Sequence, residues 1–199
     1  MSYVKGKGIF IDRDGVLNYP IKNPNTGLWD SPLEIEDFKL YDGVVESCKK
    51  LQDAGFSLFL VSNQPSYAKG KITLETREGI HNKLVSTMEK GGVFFKQYYY
   101  CHHSVDSIYH EEKYMGPCDC RKPSPYNINR SIWSYHLDKE KSWMIGDFDT
   151  DIECGQNADV RTILIKTPES KHRQDTGVIP DISCSDFNSS VRAILEKEE

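Results

Sequence analysis

The sequence predicts an α/β fold, a parallel sheet covered by helices on both faces. Two features of the chain carry that expectation. Short apolar runs alternate with amphipathic stretches from Ile9 onward, and polar residues suited to chemistry directly follow several of those runs. Alternating strand and helix is the pattern of a parallel sheet buried on both sides. Sheets of that kind hold ligands beyond the carboxyl ends of their strands.

The elements follow in order. Ile9-Phe10-Ile11 is a short strand. Val44 to Ala54 reads as a helix, because Val44, Val45, Cys48 and Leu51 share one face and Gly55 stops it. Phe56 to Val61 is a second, buried strand. Thr73 suits the cap of a long helix that runs to about Lys90 and breaks at Gly91-Gly92. Val93 to Tyr100, rich in aromatic residues, is the third strand. A helix over Pro125 to His136 comes next, then a fourth strand at Trp143-Met144-Ile145. A short helix over Thr150 to Ala158 leads to a fifth strand at Thr162 to Ile165, and the tail from Asp186 ends in a charged helix. Tyr19 to Asp37 holds Pro20, Pro24 and Pro32 and reads as a long loop or a small cap over the site. The whole chain, residues 1–199, is expected to form one domain.

Composition narrows the function. Hydrophobic residues make up 38% and charged residues 28% of the chain, ordinary for a globular protein. No apolar run approaches the roughly 20 residues of a membrane helix. The N-terminus lacks the charged head and apolar middle of a secretory signal, so a cytoplasmic protein is expected. The net charge of −5 and the absence of a Lys/Arg cluster argue against a nucleic-acid partner. A monomer is the expectation.

Four patterns carry chemistry. In Phe10-Ile11-Asp12-Arg13-Asp14-Gly15, two carboxylates alternate just past a strand, and residues two apart in extended chain face the same way. One can attack phosphorus while the other handles the proton. In Ser62-Asn63-Gln64, a hydroxyl and the backbone N–H groups after a strand can hold a phosphoryl oxygen. In Cys120-Arg121-Lys122-Pro123, Lys122 offers a point charge and Arg121 a planar fork for a second anion or sugar oxygens. In Gly146-Asp147-Phe148-Asp149-Thr150-Asp151, several carboxylates at a strand end suit a hard cation. Each alone has an ordinary explanation as a turn, a cap or a solvated charge. Their order and placement together are specific.

Cys101, His103, Cys118 and Cys120 form C-x-H and C-x-C pairs. Three thiolates and one imidazole complete a tetrahedral zinc set with no open position, which predicts a structural Zn²⁺. His102 could replace His103, although the spacing favours His103. The loop 101–120 would then be a rigid flap beside Lys122.

With these residues in view, the chain resembles the haloacid dehalogenase superfamily, with the four signatures in order from Phe10 to about Lys166. The resemblance implies a Rossmann-like sheet with a small zinc-bound loop insertion and no large cap. It implies a phosphomonoesterase with Asp12 as nucleophile and Asp14 as acid and base. Ser62, Asn63, Arg121 and Lys122 would bind phosphate or substrate. Mg²⁺ would be held by Asp12, the main-chain carbonyl of Asp14 and Asp147, with Asp151 orienting Lys122. A cysteine–histidine loop running into Cys120-Arg121-Lys122-Pro123 looks like the histidinol-phosphate and heptose-bisphosphate phosphatase branch. The long spacer between ligand pairs is more similar to the heptose enzymes, which implies D-glycero-D-manno-heptose 1,7-bisphosphate as substrate. Histidinol phosphate or another small sugar phosphate is the alternative, and a non-catalytic zinc-stabilised binding module is the rival of a different class. Lys69 stands where relatives commonly have arginine, and Ser104 where proline is usual.

Overall fold

The computed structural model describes residues 5–104, 114–174 and 176–198. In chain order the elements are β1 (Lys7–Ile11), β2 (Ile21–Lys22), β3 (Trp29–Asp30), α1 (Val44–Asp53), β4 (Phe56–Asn63), α2 (Leu74–Lys90) and β5 (Phe95–Cys101). They continue with α3 (Tyr126–Ser134), β6 (Trp143–Gly146), α4 (Asp149–Asn157), β7 (Arg161–Ile165), β8 (Ile182–Cys184) and α5 (Phe187–Glu196). Six strands make one sheet in the order β5-β4-β1-β6-β7-β8, and every neighbouring pair is parallel.

The period of two in the strands sorts side chains between two cores. Ile9 and Ile11 of β1, Leu58 and Leu60 of β4, and Trp143 and Ile145 of β6 enter one core. There they meet Val44, Cys48 and Leu51 of α1, Ile80, Leu84 and Met88 of α2, and Val191 and Ile194 of α5. The intervening residues Phe10, Phe59, Val61 and Met144 face the other core with Ile128 of α3 and Cys154 of α4. Phe10 and Phe59 stack with ring centroids 5.0 Å apart. A one-residue slip of β1 would exchange the two sets, so its register is strongly fixed.

The helix ends follow local chemistry. Thr73 Oγ1 accepts from the Thr76 amide at 3.0 Å and caps α2, as its position predicted. Gly55, at φ +86°, ends the turn after α1 in the left-handed region that glycine tolerates. Asp186 caps α5 by accepting from the Ser189 amide at 2.6 Å. Three strands were not expected from sequence. β8 adds a sixth strand beside β7, and β2 pairs antiparallel with β3 to make a short hairpin inside the Tyr19 to Asp37 segment. No helix among the described residues is long and apolar enough to cross a membrane.

Candidate active site

β1 lies at the middle of the sheet, between β4 and β6. Asp12 therefore leaves β1 beside Ser62 and Asn63, the last residues of β4, and beside Asp147, which follows β6. The loop before α3 brings Lys122 to the same edge. Its ammonium lies 2.6 Å from Asp12 Oδ1 and 2.6 Å from Asp151 Oδ1, and donates to the Val61 carbonyl at 2.8 Å. Asp151 also caps the start of α4 by accepting from the Phe148 amide at 3.0 Å. A cavity of about 710 Å³ opens over this edge, lined by Asp12, Asp14, Ser62, Arg121, Lys122 and Asp147 among others.

The charges do not balance without a further cation. Carboxylate oxygens of Asp12, Asp147 and Asp151 lie within 4.8 Å of one another, all three residues buried. Among the described residues, Lys122 is the one ammonium in contact with Asp12 and Asp151. Three carboxylates against one ammonium leave two negative charges uncompensated at the strand ends. Burial pushes the Asp12 carboxyl up to about 6, with Lys122 opposing and Asp151 and Asp14 adding to the rise. Burial raises Asp147 well above the usual carboxylate range, and the charges of Asp12 and Asp151 add to it. Burial works against the Lys122 charge, but Asp12 and Asp151 outweigh it and hold the ammonium more firmly protonated. Asp147 Oδ1 is buried with no hydrogen-bond partner among the described residues. A hard dication with oxygen ligands fits this set in charge and in donor chemistry. Gly15 keeps the space open: at φ +80°, a Cβ there would meet Asp147 Oδ2 at 2.2 Å.

Asp14 sits in a different environment. Arg13 Nη2 approaches both its oxygens at 3.1 Å, Asn18 donates to Oδ1 at 2.9 Å, and Gln64 and Ser31 donate to Oδ2 at 2.5 and 2.9 Å. Burial alone would raise the Asp14 carboxyl. The Arg13 charge and these donors outweigh that and hold it below the usual range. Two carboxylates two residues apart are thus pushed in opposite directions, Asp12 toward its protonated form and Asp14 toward its ionised form.

Gln64 and Ser31 were not singled out from sequence for this part. Gln64 joins three site residues, accepting from Arg13 Nη2 at 2.7 Å while its amide nitrogen donates to Asp14 and, at 2.9 Å, to Ser62 Oγ. Gln64 stood in a quoted motif, but its contact with Asp14 spans 50 residues of chain. Asn63, expected to bind substrate, uses both ends of its amide on the main chain of Lys122, at 3.0 and 3.2 Å. It holds the Lys122 loop against β4. Ser62 and Arg121 both line the cavity, and Arg121 Nη1 donates to the His103 carbonyl at 3.0 Å. The Tyr19 to Asp37 segment is a wall of the cavity, contributing Pro20, Trp29, Asp30 and Ser31. An ion pair between Lys71 and Asp30 ties the hairpin to the chain after β4.

The cysteine–histidine set gathers as its spacing predicted. Cys101 Sγ lies 3.6 Å from Cys118 Sγ, which lies 3.5 Å from Cys120 Sγ. His103 Nδ1 is 3.4 Å from Cys120 Sγ and 3.9 Å from Cys101 Sγ. A tetrahedral zinc would set sulfur–sulfur edges near about 3.8 Å and sulfur–nitrogen edges near about 3.6 Å. Those four separations are close to these edges, and all four donor atoms lie within 4.8 Å of one another. His102 instead points its Nδ1 at the Gln64 carbonyl, 3.0 Å away, so His103 takes the fourth corner.

Known proteins resemble this chain in sequence and fold. A HAD-hydrolase-like family model matches residues 119–189. The D-glycero-beta-D-manno-heptose-1,7-bisphosphate 7-phosphatase of Pasteurella multocida is 32% identical over 162 residues, covering 81% of this chain and 82% of that protein. The D-glycero-D-manno-heptose-1,7-bisphosphate 7-phosphatase of Chlorobaculum tepidum is 30% identical over 196 residues, covering 95% and 94%. The chain belongs to the haloacid dehalogenase-like phosphatases, in the histidinol-phosphate and heptose-bisphosphate branch. As a member of that branch it is a phosphoric monoester hydrolase. The fold agrees with the branch: the crystal structure of a D,D-heptose 1,7-bisphosphate phosphatase from B. bronchiseptica, complexed with magnesium and phosphate, superposes with a TM-score of 0.77. The two chains share 23% identity over 96% of this chain and 99% of that one.

Proposed function

We propose that the protein removes the 7-phosphate of D-glycero-D-manno-heptose 1,7-bisphosphate through a phosphoaspartate on Asp12, acting as a cytoplasmic monomer. The observation that carries the chemistry is the buried group of Asp12, Asp147 and Asp151 around Lys122, which leaves two negative charges in excess. The names of the relatives in Pasteurella multocida and Chlorobaculum tepidum support the substrate.

Asp12 attacks the phosphorus of the 7-phosphate, and the bond from phosphorus to the sugar oxygen breaks. Asp14 gives its proton to that oxygen. A water then attacks the phosphoaspartate, Asp14 takes the water's proton, and the bond to Asp12 breaks to release inorganic phosphate. The donors around Asp14 favour its ionised form, the form needed in the second half. The approach of a dianionic phosphate raises its proton affinity for the first half. Lys122 and the Ser62 hydroxyl hold the phosphoryl oxygens, and the Lys122 charge offsets repulsion between carboxylate and phosphate.

Asp12 and Asp147, with the Asp14 main chain, would hold Mg²⁺, which when bound neutralises the two excess charges and polarises the phosphoryl group. Cys101, His103, Cys118 and Cys120 would hold Zn²⁺ in a closed structural site. Arg121, tied to His103, carries the zinc loop's position into the cavity.

Phosphate release from the heptose bisphosphate, histidinol phosphate and an aryl phosphate, each with and without Mg²⁺, tests the reading. The expected result is Mg²⁺-dependent turnover with the heptose bisphosphate preferred and a monophosphorylated sugar as product. Faster turnover of histidinol phosphate would overturn the substrate. Absence of any Mg²⁺-dependent release would overturn the chemistry.

A further inference from the structure

The cavity over Asp12 has cations on both sides of the reacting centre, and only one side is accounted for. Arg121 is bonded to the carbonyl of His103, two residues past the end of β5. The other side is built by the stretch after β7, where His172 and Arg173 line the same cavity with Phe148. In the sheet order, β5 and β7 each stand two strands from β1. At about 4.8 Å per strand, each side lies about 10 Å from the Asp12 position. That distance is comparable to the span of a sugar carrying phosphates at opposite ends.

Two anchors fix this stretch. Gln174 Nε2 donates to the carbonyls of Asp147 and Ile165 at 2.7 and 3.0 Å, and to Ser170 Oγ at 3.0 Å. Thr176 donates through both its amide and its hydroxyl to the buried Asp149 Oδ2, each at 2.7 Å. The chain just after Arg173 is therefore fastened at Gln174 and Thr176 to the segment that carries Asp147. The Arg173 guanidinium lies over the Phe148 ring, 4.7 Å from its centroid. Such stacking leaves the planar N–H fork at its edge free for an anion.

Arg173 differs from the two lysines of the cavity that are held by carboxylates. Lys122 is held between Asp12 and Asp151, and Lys71 is paired with Asp30. Arg173 has no carboxylate partner among the described residues, and its Nε contacts His172 Nε2 at 3.3 Å. A surface arginine that only needs solvation has no reason to be stacked on an aromatic ring at a cavity wall, just before residues anchored to the Asp147 segment. From this geometry we infer that Arg173, backed by Phe148, is a specificity-determining residue that binds the phosphate not being hydrolysed, the 1-phosphate of the heptose bisphosphate. The assignment rests on the substrate reading given above and deepens it. Arg121 is the competing ligand for that phosphate, and the test separates the two.

The experiment measures kcat and KM of wild type, Arg173→Ala, Arg173→Lys and Arg121→Ala with the heptose bisphosphate and with p-nitrophenyl phosphate, which carries one phosphate. For Arg173→Ala, the ratio of kcat/KM between the two substrates should fall about ten-fold or more, the scale of one lost charge-assisted contact. The loss should fall mainly in KM for the bisphosphate, with Arg173→Lys recovering part of it. A ratio unchanged in Arg173→Ala, or one that falls only in Arg121→Ala, would overturn the assignment while leaving the substrate reading intact. Wild-type enzyme with no preference for the bisphosphate would overturn both.

Discussion

Protons and Mg²⁺ should compete for the carboxylates at the strand ends, and the competition has a defined sign and size. Asp12 moves from an ordinary value of 3.8 to about 6 in the fold without an ion. The folded state therefore binds this proton more tightly than the unfolded chain does. Stability of the ion-free protein is lost as pH rises from about 4 through 6, because folding must then hold an ionised carboxylate it disfavours. A rise of about two units corresponds to about 3 kcal/mol at pH 7, and Asp147 shifts in the same direction. Mg²⁺ removes that cost, so stabilisation by saturating Mg²⁺ should be small near pH 4.5 and grow by about 3 kcal/mol or more by pH 7. For a chain of this size that is about 10 °C in Tm. Thermal unfolding across this pH range, with and without Mg²⁺ and with no chelator, measures it. Taking the difference between the two series cancels the opposing contribution of His81 and His102, whose depressed values make stability rise with pH. A Mg²⁺ effect that is flat or declines toward pH 7 would refute the buried excess of charge.

Three further outcomes are expected. Asp12→Asn should reduce turnover below about 10⁻³ of wild type while raising Tm in the absence of Mg²⁺, since it removes one of the repelling carboxylates; substantial residual activity would exclude Asp12 as nucleophile. Gln64→Ala should lower kcat/KM about 10- to 100-fold, because it strips donors from Asp14 and Ser62 together; steady-state kinetics on folded protein checks it, and a change under two-fold would count against the network. Elemental analysis should find about one zinc per chain, and stripping it should lower Tm more than removing Mg²⁺ does, because a closed four-ligand site contributes folding energy directly; equal shifts would contradict the structural role.

The parts of the fold that rest on local pattern were legible in the sequence. The apolar runs around Phe10, Phe59 and Met144 are long enough and buried enough to announce strands, and Asp12, Ser62 and Asp147 at or just past their ends marked the edge of the sheet where chemistry gathers. β8 was not legible, because Ile182–Cys184 is three residues long, lies at the sheet edge and buries none of them fully. Its place is set by pairing with β7, a contact no local pattern encodes. The hairpin of β2 and β3 escaped for the same reason, although its turn carries Asn23, whose side chain accepts from the Asn25 amide, and Gly27 at φ +71°. Sequence spacing grouped Cys101, His103, Cys118 and Cys120, favouring His103 over His102, and the fold brings those four together while His102 turns to the Gln64 carbonyl. Ser31, Gln64 and Gln174 act through partners 17, 50 and 27 residues away, and residues whose meaning lies in such contacts look like ordinary loop polars when read along the chain.

The clasp of Cys101 and His103 with Cys118 and Cys120 has a consequence for how this scaffold can change. It fastens the stretch strung between the two pairs at both ends, with Cys101 and Cys118 sulfurs 3.6 Å apart. Doubling the length of a closed loop costs only about 0.6 kcal/mol. Changes at Gly116 and Pro117, which line the pocket just before Cys118, can reshape that wall while Lys122, two residues past Cys120, stays where Asp12 needs it. Descendants of such a fold are free to try new sugars without relearning how to move a phosphate.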